Sequence, residues 1–316
     1  MKNKNIKLES DAFDSQIKLR VKNKHLPDIR NTKRNEYFYN NVWRDPYLVS
    51  RTFGETVKIF KRHIPKKSKI IEIGCGPGHI ALELARAGHR VHGIDLSQAC
   101  IDVALGTAMK KDKQLIIKKK LTYECTDFTK LINQKNKYNI VIFCGSLSHF
   151  TNLKKISEML KKITYAKSKI MIWDTCIEQY KQSDAIILGM IRILLSQNHN
   201  YFQKIKIPKN LNEFKKYSKN IFKELSYVDE GGKNIQSPND NSQNLKSMLS
   251  FLNSNYNEIE FIWESSFSRM LVGGIRGQNI IEEKKLVDFL WNIETLLINE
   301  GVLSPAFFHW IGRRKN

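Results

Sequence analysis

Between residues 69 and 174 the chain alternates short apolar runs with amphipathic helical stretches, and no other feature of the sequence constrains the fold as tightly. The runs are KIIEI (69–73), RVHGID (90–95), LTYECTD (121–127), YNIVIF (138–143) and KIMIWD (169–174). Between them lie HIALELARAG, SQACIDVALGTAMKK and TNLKKISEMLKKI, with Ser97 and Thr151 placed to cap two helix N-termini. Short strands that alternate with helices predict a mostly parallel sheet built from βαβ crossovers, an α/β fold.

The flanks read differently. Residues 1–34 are polar and charge-rich and are read as a loosely held arm. A dense aromatic segment follows, containing Tyr37, Phe38, Tyr39, Trp43 and Tyr47; its second half has helical spacing (Leu48, Phe53, Val57, Phe60) and stops before Pro65. After Asp174 the alternation gives way to two helical stretches, DAIILGMIRILL and LNEFKKYSKNIFKEL, and a turn-rich segment at 229–244. It then resumes with LKSMLSFLN (helix), EIEFIW and SRMLVGGI (both strand-like), EEKKLVDFLWNIETLLINEG (helix) and PAFFHWIG (strand). The expected organisation is an arm and aromatic helical lid (1–64), a ligand-binding core (65–176), a mainly helical cap insertion over the carboxyl edge of the sheet (177–240) and the remainder of the core (241–316).

The chemistry begins at Glu72-Ile-Gly74-Cys75-Gly76-Pro-Gly78-His79, directly after one strand and directly before a helix. Glycines there let the backbone turn sharply and let a ligand approach the main chain, and an open α/β sheet binds ligands at the carboxyl ends of its strands. The dinucleotide fingerprint G-x-G-x-x-G counted from Gly74 would need glycine at 79, where this chain has His79. No G-K-[ST] follows either, so the loop is not a P-loop. Asp95 stands at the end of the second strand, where a carboxylate can accept ribose hydroxyls.

The loop closely resembles the E/D-x-G-x-G-x-G first motif of class I S-adenosylmethionine-dependent methyltransferases. The likeness continues through Asp95-Leu96, through CTDF (125–128) and through FCGSLSHF (143–150), where Ser148 replaces the first His of the usual Leu-His-His ending. It implies a Rossmann-like, doubly wound, seven-stranded sheet, with S-adenosylmethionine as cofactor and S-adenosylhomocysteine as product. Gly74, Gly76 and Gly78 would flank the methionine moiety, Asp95 the ribose, and Asp127 with Phe128 the adenine; Glu72, Cys75, Leu96, Cys144 and Gly145 are further candidates for binding the donor. Tyr39 and Arg51 would close over the donor, with Arg51 on its carboxylate. His149 is the candidate base and Asp174 a candidate for holding the acceptor; no metal site is expected.

The fold does not fix the acceptor. An N/D-P-P-Y clamp for base amines is absent, since the fourth strand is followed by Cys144-Gly145-Ser146-Leu147. A helical cap over the acceptor side favours a small-molecule acceptor. The alternatives are an RNA or protein methyltransferase and a non-catalytic S-adenosylmethionine-binding module. The net charge of +22 invites a nucleic-acid partner, but 40 of the 53 basic residues are Lys, and 27 Asn accompany them, as an AT-rich coding sequence would produce. Nucleic acid is therefore not favoured. Ile186–Leu195 is too short and, with Arg192, too charged to span a bilayer, and the N-terminus MKNKNIKLESDAF lacks a signal core. A cytoplasmic protein with no membrane partner is expected, and a homodimer is compatible with the sequence. The five cysteines include no CxxC pair, so neither a disulfide framework nor a zinc site is indicated.

Overall fold

The computed structural model describes residues 2–133, 137–229 and 231–315. In chain order the helices are α1 (Lys2–Lys22), α2 (Pro46–Val49), α3 (Glu55–His63), α4 (His79–Arg86), α5 (Gln98–Ile117), α6 (Leu153–Ile163), α7 (Gln182–Gln197), α8 (Leu211–Leu225), α9 (Leu245–Asn255), α10 (Ser268–Leu271) and α11 (Ile280–Asn299). The strands are β1 (Lys69–Ile73), β2 (Arg90–Asp95), β3 (Leu121–Cys125), β4 (Tyr138–Cys144), β5 (Thr164–Thr175), β6 (Tyr256–Trp263) and β7 (Phe307–Arg314). They form one seven-stranded sheet in the order β3-β2-β1-β4-β5-β7-β6. Strands β1 to β5 pair in parallel, and β7 runs antiparallel to both β5 and β6.

Strands β1 and β4 are apolar along most of their length because helices cover both sheet faces. Ile70, Ile140 and Ile142 pack on one face, Ile71, Ile73, Val141 and Phe143 on the other, all at most 1% exposed. The chain runs outward from β1 through β2 to β3, then returns to β4 on the opposite side of β1. This reversal makes the carboxyl ends of β1 and β4 the topological switch point, where such sheets bind ligands.

Three expectations are corrected. Asn152, not Thr151, caps α6, its side chain accepting from the Lys155 N–H (3.0 Å). SRMLVGGI is not a strand: Ser268–Leu271 is helical and Val272–Gly274 forms a tight turn. The buried carboxylate of Glu294, on α11, accepts from the backbone N–H groups of Ser266, Phe267 and Ser268 at 2.6–3.1 Å, taking donors that a sheet would otherwise use. Residues 1–34 are not a loose arm either. Helix α1 is tied down along its length: Ser10 Oγ donates to the Leu96 carbonyl (2.9 Å), Asp14 accepts from the Ala99 N–H (3.2 Å), and the Gln16 amide donates to the Gln236 carbonyl (2.7 Å).

Candidate functional site

A cavity of about 420 Å³ opens at the switch point. The glycine loop after β1 forms its floor, and the ends of β2 and β4 and the turn after β3 form its walls. The loop is pinned by the N–H groups of Gly74 and Cys75, both donating to the Ile94 carbonyl. Gly78 has a left-handed backbone, and a Cβ there would lie 2.5 Å from the Tyr123 hydroxyl, so packing against α5 and β3 requires glycine. Gly76 is left-handed too, but a Cβ added to it would meet no protein atom within 4 Å. It faces the cavity.

Asp95 borders the same space, with Oδ2 accepting from the Gly76 N–H (2.7 Å) and Oδ1 from the Ser97 N–H (2.8 Å). Burial raises its pKa, and those backbone bonds oppose the shift. Leu96, Asp127, Phe128, Cys144 and Gly145 also line the cavity. Asp127 accepts from the Thr129 N–H (2.8 Å), which fixes the turn that carries Phe128. Glu72 is 1% exposed and its Oε2 has no hydrogen-bond partner among the described residues. Burial, reinforced by the Asp95 charge, pushes its pKa up to about 8.

The roof is α1. Ile6, Glu9, Phe13, Gln16, Ile17 and Arg20 face inward at the three- and four-residue spacing of one helix face. Burial lowers the Arg20 pKa, and no carboxylate among the described residues pairs with it. The described residues of the cap insertion contribute Gln236 and Asn239 to the lining; α7 and α8 pack elsewhere on the core.

Four sequence candidates lie outside the cavity lining, Gly78 among them because it packs against α5 and β3. Arg51 lies 3.4 Å from Asp288 and over the Trp291 ring, while Tyr39 is 56% exposed beside Phe202. Asp174 is fully buried, and its carboxylate accepts from the N–H groups of Leu147 (2.8 Å), Ser148 (3.2 Å) and Thr175 (2.8 Å). It anchors the turn that positions His149 and does not line the space where an acceptor would sit. His149 does line it, with Nδ1 2.8 Å from Glu9 Oε1 and Nε2 3.6 Å from Asp240 Oδ1. Burial works against a charged imidazole here, but the hydrogen bond to Glu9 and the nearby carboxylates outweigh it and raise the pKa.

Residues 70–166 match the family model described as a methyltransferase domain. The chain carries a methyltransferase domain of the S-adenosylmethionine-dependent kind. Among curated relatives of this methyltransferase, a ubiquinone biosynthesis O-methyltransferase of Bartonella tribocorum is 28% identical over 183 residues, covering 57% of this chain and 69% of that protein. A protein of the same description from Coxiella burnetii is 26% identical over 162 residues, covering 50% of this chain and 66% of its own. The phosphoethanolamine N-methyltransferase 2 of Haemonchus contortus overlays on 89% of the chain at a TM-score of 0.49 and 15% identity.

The cavity suits the methyltransferase donor on two structural grounds. Gly76 leaves room where any other residue would place a Cβ. Within the same lining, Arg20 has no carboxylate partner among the described residues and Glu72 is a buried carboxyl with an orphaned oxygen, groups of the kind that meet the carboxylate and ammonium of an amino-acid zwitterion.

Proposed function

We propose that this methyltransferase transfers the methyl group to a hydroxyl of a small-molecule acceptor. The observation that carries this reading is the roof: α1 lies across the donor cavity and is bonded to the chain at Leu96, Ala99 and Gln236, whereas a polymer substrate would need an open cleft. The O-methyltransferase relatives support hydroxyl chemistry.

When bound, the donor supplies a methyl group already activated on a sulfonium, so the chain mainly has to align the partners and exclude water. Arg20 would hold the donor's carboxylate and Glu72 its ammonium. Asp95, which keeps the Gly76 N–H in place, would hold the ribose. Phe128 and Asp127 would hold the adenine. Helix α1 excludes water. His149, engaged by Glu9 on one nitrogen and facing Asp240 on the other, latches α1 in this reading rather than serving as the base. Supplying methyl-labelled S-adenosylmethionine to the metabolite, RNA and protein fractions of a cell extract tests the proposal. Label is expected in the metabolite fraction; label in RNA or protein would select the alternatives, and no transfer at all would leave a binding module.

The latch has a pH signature. The Glu9 pKa is lowered: burial would raise it, but hydrogen bonds to His149, Ser237 and Asn239 prevail. Its contribution is therefore present above the ordinary carboxylate range and lost on acidification. The His149 contribution, with the pKa raised, is full below about 6.5 and lost as pH rises through the folded value. Protection of the α1 amides, corrected for intrinsic exchange, should peak between the two and fall on the alkaline side. The Glu9→Gln variant should lose the acid-side fall and show a shallower alkaline one, since Asp240 still faces His149, and an unchanged profile would remove Glu9 from the latch.

A further inference from the structure

Helix α7 packs Ala185, Leu188 and Arg192 inward, and Arg192 pairs with Glu224 of α8. Its other face carries Ile186 (41% exposed), Met190 (50%) and Leu194 (57%), four residues apart and so in one stripe. Hydrogen bonds bring a basic segment to the C-terminal end of that stripe. The Ile205 N–H donates to Ser196 Oγ (2.6 Å) and the Gln197 amide to the Ile205 carbonyl (2.7 Å), laying the segment KIKIPKNL (204–211) beside the last turn. There Ile207 and Leu211 are exposed and interleaved with exposed Lys204, Lys206 and Lys209.

We propose that this face docks on an anionic lipid bilayer, with the apolar row entering the headgroup boundary and the three lysines against anionic headgroups. A row of aliphatic side chains edged by ammonium groups is the chemistry an interfacial segment uses. The lysine stems add apolar length while their charged ends remain among the headgroups. A second copy of the chain is a poorer occupant: a two-fold contact would bring the lysines near their own counterparts, on a chain carrying +22. The earlier expectation of no membrane partner rested on the lack of a crossing segment, and surface docking needs none. No helix among the described residues is long and apolar enough to cross a membrane.

Co-sedimentation of the full chain with vesicles tests the proposal. The protein should pellet with an equal mixture of phosphatidylcholine and phosphatidylglycerol, stay in solution with phosphatidylcholine alone, and dissociate as salt rises from about 0.1 to about 0.5 M. The triple variant Ile186→Ser, Met190→Ser, Leu194→Ser should bind the anionic vesicles at least about tenfold more weakly. Replacing Lys204, Lys206 and Lys209 by Gln should cost about fivefold for each lysine. These side chains are exposed, so both variants should melt like the parent and bind S-adenosylhomocysteine equally well. That keeps this result separate from the donor reading. Failure of the parent to pellet with anionic vesicles, or equal pelleting of the triple variant, would overturn the proposal. So would a parent dimer that the triple variant abolishes in the absence of any vesicle binding.

Discussion

Arg20→Met is expected to weaken S-adenosylhomocysteine binding by about 2–3 kcal/mol, roughly 30- to 150-fold, without lowering Tm. The guanidinium is partly buried at the cavity and no carboxylate among the described residues pairs with it, so its charge contributes little to the stability of the ligand-free protein. Removing it should leave the fold as stable or slightly more so, while the donor's carboxylate loses its counter-charge. Calorimetric titration reads the affinity. Arg51→Met is the matched control: Arg51 sits on Asp288 and Trp291, so its loss should change donor affinity by no more than about threefold. Reversal of the two results would return the donor carboxylate to Arg51.

Gly76→Val should be comparably severe, for a different reason. Its backbone is left-handed (φ +50°), where a β-branched residue is strained by about 1–3 kcal/mol, so Tm should fall. The new side chain would then occupy the cavity itself, since nothing else lies within 4 Å of its Cβ, and donor binding should drop about a further 100-fold. Gly88 is the useful comparison: it is also left-handed and open around its Cβ, but lies outside the cavity lining, so Gly88→Val should be destabilising without affecting donor affinity. Tight donor binding by Gly76→Val would mean that the floor of the site lies elsewhere.

The parallel half of the sheet was legible because its signals are local. Buried strands read as apolar runs, and the glycine loop, Asp95, Asp127 and Phe128 fall at strand ends, where this topology collects them around one cavity. What escaped depended on partners distant in sequence. Helix α1 is polar overall, and only the spacing of Ile6, Glu9, Phe13, Gln16 and Arg20 marks an inward face. That spacing could have been read; the destination of the helix could not, because its anchors are Leu96, Ala99 and Gln236. SRMLVGGI has the composition of a strand, and Glu294, 27 residues beyond Phe267, takes the backbone donors at its start. Asp174 and His149 occupy the positions the motifs predict. Asp174 is engaged there by three backbone donors and His149 by Glu9, contacts that the motifs do not announce.

Thermal denaturation with and without S-adenosylhomocysteine is the most direct test of the central claim, that the cavity beneath α1 is the donor site. At about 100 times its dissociation constant the ligand should stabilise the chain by about 2.7 kcal/mol and raise Tm by several degrees, while NAD and ATP leave it unchanged. No shift at millimolar S-adenosylhomocysteine, or an equal shift with NAD, would contradict it.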